Sequence, residues 1–377
     1  MSVKKIDYYY PGDIIYAGKP FVVCMQKSVQ KHICRHCLSR RGPLKFCGCC
    51  RVTRYCSRSC QKEDWNDHRL ECKFLKNLPD DDSKAFIQFL GKVIMKVKDK
   101  DWTLITERIG NKVVSFADLI THTDALDSHP KLKLLFKEAA SKVKEYIGEE
   151  NIPQEDKLFE IIGKVKFNSF TSRIPLNTCG FDIPVLYADR FADLRSLFIG
   201  LSKLNHSCIP NTYFAHDGSI SKLFAIKKIR KDEELTVNYF PMVFQIYSKT
   251  FAESLKEFFL GDCKCNDCSL PYGTSILTKV IDETKAHTVI KYSENTLELC
   301  STLSRLQVSE PKIWLFIREE VKILLKEQEG ILGNTNILRL RLLAWKCLHV
   351  KGPPEEQLED LEKLAEYVEL AFGENYR

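Results

Sequence analysis

Eight of the sixteen cysteines in this 377-residue chain, with one histidine, fall in a single short window, and their spacing calls for a fold built around metal. The window runs Cys34-x2-Cys37, Cys47-x2-Cys50, Cys56-x3-Cys60 and His68-x3-Cys72. Four ligand pairs supply two tetrahedral sites. Zinc takes such thiolate and imidazole donors because it imposes no d-electron geometry of its own. Cys49 is left over, since a C-x2-C knuckle joins Cys47 to Cys50. Spacing alone leaves open which pair joins which. A disulfide framework is the competing use of these cysteines. The chain's length argues against it, and Met1 to Asp7 lacks the apolar stretch of a secretory leader. A reducing compartment, nucleus and cytoplasm, is therefore expected. So short a segment buries little core, so metal binding carries much of its folding free energy.

Hydrophobic content is 44%, that of an ordinary soluble domain, and the length allows two or three domains. No apolar run reaches the roughly 18 residues of a membrane helix, so no membrane partner is expected. The formal charge of +7 overstates how basic the folded protein is. Cys34 to Cys72 holds nine Lys/Arg against four Asp/Glu, but seven ligand thiolates and two zinc ions remove three charges. That weighs against direct nucleic-acid binding.

A second constellation lies further on. Leu204-Asn205-His206-Ser207-Cys208-Ile209-Pro210-Asn211 is followed by Glu233-Glu234-Leu235-Thr236-Val237-Asn238-Tyr239, then by Cys263-x-Cys265-x2-Cys268. Three cysteines are one short of a tetrahedral thiolate site. Cys208 is the obvious fourth, which requires residues 205–211 to fold beside residues 263–268. With this third site loaded, the formal charge falls to about +2.

The first window resembles the MYND zinc finger through all four pairs, and through Arg51-Val52-Thr53-Arg54-Tyr55-Cys56 and Trp65-x2-His68-x3-Cys72. In that family the pairs interleave. The resemblance implies one site from Cys34, Cys37, Cys56 and Cys60 and another from Cys47, Cys50, His68 and Cys72. The second constellation resembles a SET domain with its cysteine-rich post-SET tail, Asn205 to Asn211 being the most specific signature. Gly163 to Phe170 looks like the strand that precedes it. A finger inside a split SET domain with a helical tail is the layout of SMYD-type protein-lysine methyltransferases.

The resemblance implies an α+β fold: a split SET β-fold, an inserted MYND finger, a post-SET zinc site and a C-terminal helical domain. The implied divisions are 1–33 (first SET part, shortened at its start), 34–72 (finger), 73–155 (helical insertion), 156–241 (SET core), 242–270 (post-SET segment) and 271–377 (helical domain). It also implies S-adenosylmethionine and three zinc ions as cofactors, and histone or non-histone lysines as substrate, in chromatin and transcription regulation. Asn205 and His206 would hold S-adenosylmethionine, beside backbone contacts from Ser202 to Leu204. Tyr239 would stand at the methyl-transfer channel, with Phe170 and Phe259 lining the lysine side. Proline-rich or other peptide motifs would dock on the finger.

Three departures favour an alternative, a catalytically weak or inactive SET scaffold that works as a MYND-finger protein-interaction module. No Gly-x-Gly element precedes Gly12. The family's Tyr-x-Phe-x-Cys-x-Cys reads Phe259-Leu260-Gly261-Asp262-Cys263-Lys264-Cys265, replacing the adenine-side aromatic with Gly261 unless Phe258 or Leu260 shifts into use. Lys203 places a charge where small or apolar residues are usual. Elsewhere, apolar spacing predicts helices over 85–94, 132–147, 337–349 and after Pro353-Pro354, with Thr335 as a cap and Ser57 to Arg69 helical in the finger. Residues 156–240 read as strands and turns, Val185 to Tyr187 and Leu223 to Ile226 among them. Cys300 and Cys347 read as buried thiols.

Overall fold

A computed structural model describes residues 7–25, 33–38, 43–78, 84–110, 112–175, 191–217, 219–239, 256, 260–271, 273–305, 310–349 and 353–372. The strands are Tyr8–Tyr9 (β1), Ile14–Gly18 (β2), Val22–Met25 (β3), Lys45–Phe46 (β4), Arg54–Tyr55 (β5), Thr106–Ile109 (β6) and Lys112–Ser115 (β7). They continue with Ser169–Pro175 (β8), Phe191–Leu197 (β9), Asn205–His206 (β10), Thr212–Asp217 (β11), Ile220–Ala225 (β12), Ile229–Arg230 (β13) and Thr236–Val237 (β14). The helices are Arg58–His68 (α1), Lys84–Val97 (α2), Pro130–Ile147 (α3), Glu155–Asn168 (α4), Glu283–Arg305 (α5), Pro311–Glu327 (α6), Ile337–His349 (α7) and Pro354–Phe372 (α8).

Small sheets packed against three helices make the main body. β9 lies between β3 and β8, and β12 between β11 and β2, all antiparallel. β10 and β14 pair in parallel, with Asn205 opposite Thr236 and His206 opposite Val237. The core behind these sheets comes from α2 (Ile87, Leu90, Val93, Ile94, Val97), α3 (Leu132, Phe136, Val143, Ile147) and α4 (Leu158, Ile161, Ile162, Val165). In α3 the apolar residues recur three or four apart and one face is buried, whereas α2 and α4 run through the interior, buried without interruption over residues 87–94 and 161–165.

Two expectations are corrected here. Residues 156–168, expected as strands and turns, are helical in α4, and the strand expected over Gly163 to Phe170 begins only at Ser169. Helical spacing of buried apolar side chains decides it. Gly163 lets the backbone at Thr121 press against that helix, because a Cβ there would stand 2.1 Å from the Thr121 carbonyl oxygen. The segment 73–155 is also less uniformly helical than expected, since it carries the β6–β7 hairpin. The strand expected at Val185 to Tyr187 lies outside the described residues.

The finger is fastened to this body by charge. Ser57 caps α1 by accepting from the Cys60 amide at 3.1 Å. From α1 and the turn after it, Asp64, Asp67 and Glu71 face inward. Arg35 bonds Asp64 at 2.7 Å and also pairs with Glu71. Lys92 of α2 reaches Asp67 at 3.1 Å and Lys96 reaches it at 2.9 Å, while Gln88 donates to Glu71 at 2.9 Å. Arg35, Glu71 and Lys92 are buried, so each charge depends on its partners there.

The tail helices α5 to α8 share a second core around Leu297, Val321, Leu340, Leu343 and Phe372, which also buries Cys300 and Cys347. Arg318 and Lys346 meet Glu356 at 3.2 and 2.9 Å, and Lys346 meets Asp360 at 2.8 Å. Asn336 rather than Thr335 caps α7, accepting from the Leu338 amide at 3.0 Å. The Thr335 hydroxyl donates to the Ile276 carbonyl instead.

Candidate active site and metal centres

Three clusters of ligand atoms form, each with its four atoms within 4.8 Å of one another. They are Cys34, Cys37, Cys56 and Cys60; Cys47, Cys50, His68 and Cys72; and Cys208, Cys263, Cys265 and Cys268. The finger's pairs therefore interleave. In the finger, β4–β5 and the start of α1 bring Cys56 and Cys60 back to the first knuckle, while α1 carries His68 to the second.

Geometry and chemistry fit zinc. Sulfurs about 2.3 Å from a tetrahedral ion stand about 3.8 Å apart, and a sulfur and an imidazole nitrogen about 3.6 Å apart. Here Cys37–Cys56 is 3.7 Å, Cys56–Cys60 3.5 Å, Cys47–Cys72 3.9 Å and Cys208–Cys268 3.4 Å. Cys50 Sγ lies 3.6 Å from His68 Nε2. Burial works against ionising Cys50, yet hydrogen bonds from His68 and Thr53 hold its thiol down to about 5. Burial and the neighbouring Cys50 push Cys72 up to about 12. Four thiols at this spacing ionise together only with a cation among them. Cys49 is exposed and belongs to none of the clusters.

The third cluster sits on a crossing of two chain segments. Residues 204–212 lie against residues 233–239 through the β10–β14 pair, and side chains fasten both ends. The Asn211 side chain accepts from the Thr236 amide at 2.8 Å and donates to the Glu234 carbonyl at 2.8 Å. The Tyr239 amide donates to His206 Nδ1 at 3.1 Å, and its hydroxyl donates to the Leu204 carbonyl at 2.6 Å. With Nδ1 accepting, the His206 proton lies on Nε2, 3.3 Å from the Cys208 sulfur. The imidazole thus spans the third cluster and Tyr239. Burial, then the Glu234 carboxylate, pushes the Tyr239 phenol up to about 12, so it keeps its proton at neutral pH.

Around this crossing the predicted cofactor residues divide. Asn205 is exposed, and its amide donates to Glu234 at 2.5 Å. His206 and Tyr239 are half-buried. Ser202 and Leu204 are buried, leaving mainly their backbone to offer. The Ser202 hydroxyl donates to the Asn168 carbonyl at 3.0 Å. Lys203 is exposed and donates to the Asp118 carbonyl at 2.6 Å, so its charge points away from the apolar interior. Phe170 joins an aromatic cluster, 5.9 Å from Phe198 and 5.3 Å from Phe214 between ring centroids. Phe259 lies outside the described residues, while Leu260 packs on the main core and Gly261 borders open space.

An amide, an imidazole, a phenol and a turn of backbone thus gather at the crossing. That donor set suits the amine, carboxylate and adenine edges of S-adenosylmethionine. Sequence reasoning missed Glu107, whose carboxylate reaches this site from the β6–β7 hairpin, accepting from the Gly200 amide at 2.8 Å. Its partners are remote in sequence, and only the turn-like Gly110-Asn111 step hinted at the hairpin.

A family model described as SET domain matches residues 44–240. Histone-lysine N-methyltransferase SMYD3 of Mus musculus is 30% identical over 267 residues, covering 68% of this chain and 56% of that protein. SMYD3 of Homo sapiens is 30% identical over 265 residues, with the same coverage of 68% and 56%. N-lysine methyltransferase SMYD2-A of Danio rerio is 25% identical over 271 residues, covering 71% of this chain and 57% of that protein. The chain spans about half the length of the curated relatives it matches. On this match and these relatives, the chain belongs to the SET domain family, in the SMYD-type group of SET and MYND proteins.

Proposed function

We infer that this protein is an S-adenosylmethionine-dependent protein-lysine N-methyltransferase acting on histone or non-histone lysines. The observation that carries the reading is Tyr239, bonded at once to His206 and Leu204 where the two segments cross. S-adenosylmethionine, when bound, supplies a methyl group on a sulfonium, which leaves as a neutral thioether. The lysine must attack as the free amine, its proton released to solvent as it enters, and the chain's own residues then align and dry the site. Asn205, His206 and the backbone of residues 202–204 orient the cofactor. The Tyr239 ring narrows the channel, and its hydroxyl, donating to the Leu204 carbonyl, holds the channel wall in register with the cofactor strand. Phe170 excludes water on the lysine side, and Phe259 is assigned the same role by resemblance. The six-part division at 33, 72, 155, 241 and 270 belongs to this reading, as do action in nucleus and cytoplasm and the assignment of zinc to all twelve ligands. No helix among the described residues is long and apolar enough to cross a membrane.

The test is calorimetric titration of S-adenosylmethionine into the zinc-loaded chain, followed by transfer of labelled methyl to lysine peptides. Stoichiometric micromolar binding with transfer supports the enzyme. Three zinc ions with no binding would sink it and leave the interaction scaffold.

The finger's surface favours a second, compatible role, docking of proline-rich or other peptide motifs. Phe46 is 51% exposed and Trp65 41%, and the Arg54 guanidinium lies 4.3 Å from the Phe46 ring centre. Such flat apolar faces suit proline rings. Trp65→Ala should abolish binding of a proline-rich peptide by calorimetry without releasing zinc.

A further inference from the structure

The turn that presents the cofactor residues is gripped from outside the SET strands. Residues 201–203 form one short 3₁₀ turn between Phe198 and Asn205. At its start the Gly200 amide donates to Glu107 Oε2 at 2.8 Å. At its end the Lys203 ammonium donates to the Asp118 carbonyl at 2.6 Å. Both partners belong to one inserted unit, the β6–β7 hairpin and the turn that follows it. That turn is rigid: Asp118 closes a capping box with the Ser115 amide and hydroxyl at 2.8 and 2.7 Å.

Glu107 is itself held in place. Its other oxygen accepts from the Tyr16 hydroxyl of β2. Tyr16 is poised for this by Gly18, since a Cβ at Gly18 would collide with the Tyr16 ring, its ζ carbon 2.7 Å away. Burial, then Glu107, raises the Tyr16 phenol far above its ordinary value, so it stays a donor. The Tyr16 ring also meets Phe198 edge-on at 6.3 Å, at the root of the same turn. One carboxylate therefore ties β2, the hairpin and the turn, and a second tie from the same unit holds the turn's far end.

We propose that Glu107 is a positioning residue for the cofactor, and that the hairpin carrying it clamps Gly200 to Lys203 so that Leu204, Asn205 and His206 meet S-adenosylmethionine in one preset geometry. The proposal deepens the methyltransferase reading and rests on it. Preset backbone lowers the ordering cost of binding, so the clamp acts on cofactor affinity more than on lysine affinity. Gln at position 107 keeps an acceptor for the Gly200 amide, and Ala keeps none.

The experiment uses the full zinc-loaded chain as wild type, Glu107→Ala, Glu107→Gln and, as a control on the hairpin's exposed face, Val113→Ala. Amide hydrogen exchange across residues 198–206 is measured first, without cofactor. Glu107→Ala should raise exchange at Gly200 to Leu204 at least tenfold, with Glu107→Gln and Val113→Ala near wild type. Unchanged exchange in Glu107→Ala overturns the clamp whether or not the wild type binds cofactor. In binding and turnover, Glu107→Ala should weaken S-adenosylmethionine at least tenfold and raise its KM likewise. The peptide KM and zinc content should stay within twofold, and Glu107→Gln should restore affinity. Equal losses for cofactor and peptide, or no rescue by Gln, would make Glu107 a structural weld only. Absence of wild-type binding would instead refute the methyltransferase reading and leave the exchange result to judge the clamp.

Discussion

Tyr239 ties the fold at the crossing and, in the proposed methyltransferase, serves the chemistry beside it. Its phenol is raised to about 12, so its share of stability is complete below the ordinary value of 10 and is lost as pH climbs from 10 to 12. Tyr239→Phe deletes the bond to the Leu204 carbonyl, a net loss of about 0.5–1.5 kcal/mol. Turnover should fall up to about tenfold with a smaller change in cofactor Kd, read by single-turnover kinetics. Gly261 invites the opposite experiment. Among the described residues, its chain neighbours aside, no atom lies within 4 Å of the Cβ it lacks, so Gly261→Phe should leave the melting temperature unchanged. If the adenine side lies there, the new ring should tighten S-adenosylmethionine about three- to tenfold, from a stacking gain of about 0.5–1.5 kcal/mol. At this scale the sequence was most legible where chemistry demands a spacing: twelve ligand positions could be written down because zinc needs its donors in fours. Glu107 was illegible because its partners Tyr16 and Gly200 lie 91 and 93 residues away, and a carboxylate carries no mark of what it will meet.

At the scale of elements, legibility followed periodicity. Helices α2, α3, α7 and α8 stood out as apolar stripes. The same stripe ran through Leu158, Ile161, Ile162 and Val165, but residues 156–240 were read as strands and turns, with the family's strand pattern laid over 163–170, so the whole of α4 was misread. Charges buried between elements had no periodic signal at all. Arg35→Ala would strand Asp64 and Glu71 inside the joint between finger and body. The expected cost is about 3–5 kcal/mol, read by thermal denaturation of the zinc-loaded chain. In the tail, hydrogen bonds from Lys346 and Arg318 lower the Glu356 carboxyl from 4.5 to about 2. That stability is present above pH 4.5 and lost as pH falls toward 2. The gap in tail melting midpoint between wild type and Glu356→Gln should therefore close over that window, followed by fluorescence of the stacked Trp314–Trp345 pair.

For the molecule as a whole, the three metal centres differ in shelter. The Cys47, Cys50, His68 and Cys72 cluster is buried at every ligand, whereas Cys268 of the third cluster is exposed. Graded chelation should remove the third zinc first, seen as a fall from three metals per chain to two while the finger keeps its own. The order matters because the third cluster is stitched to the crossing through Cys208 and His206, and the finger is not. A molecule that has lost only this ion would still present Phe46 and Trp65 on the finger while the crossing that carries His206 and Tyr239 came undone. On the proposed methyltransferase reading, oxidative or zinc-poor conditions would then yield a decoy, able to dock where the loaded chain docks and unable to mark anything there.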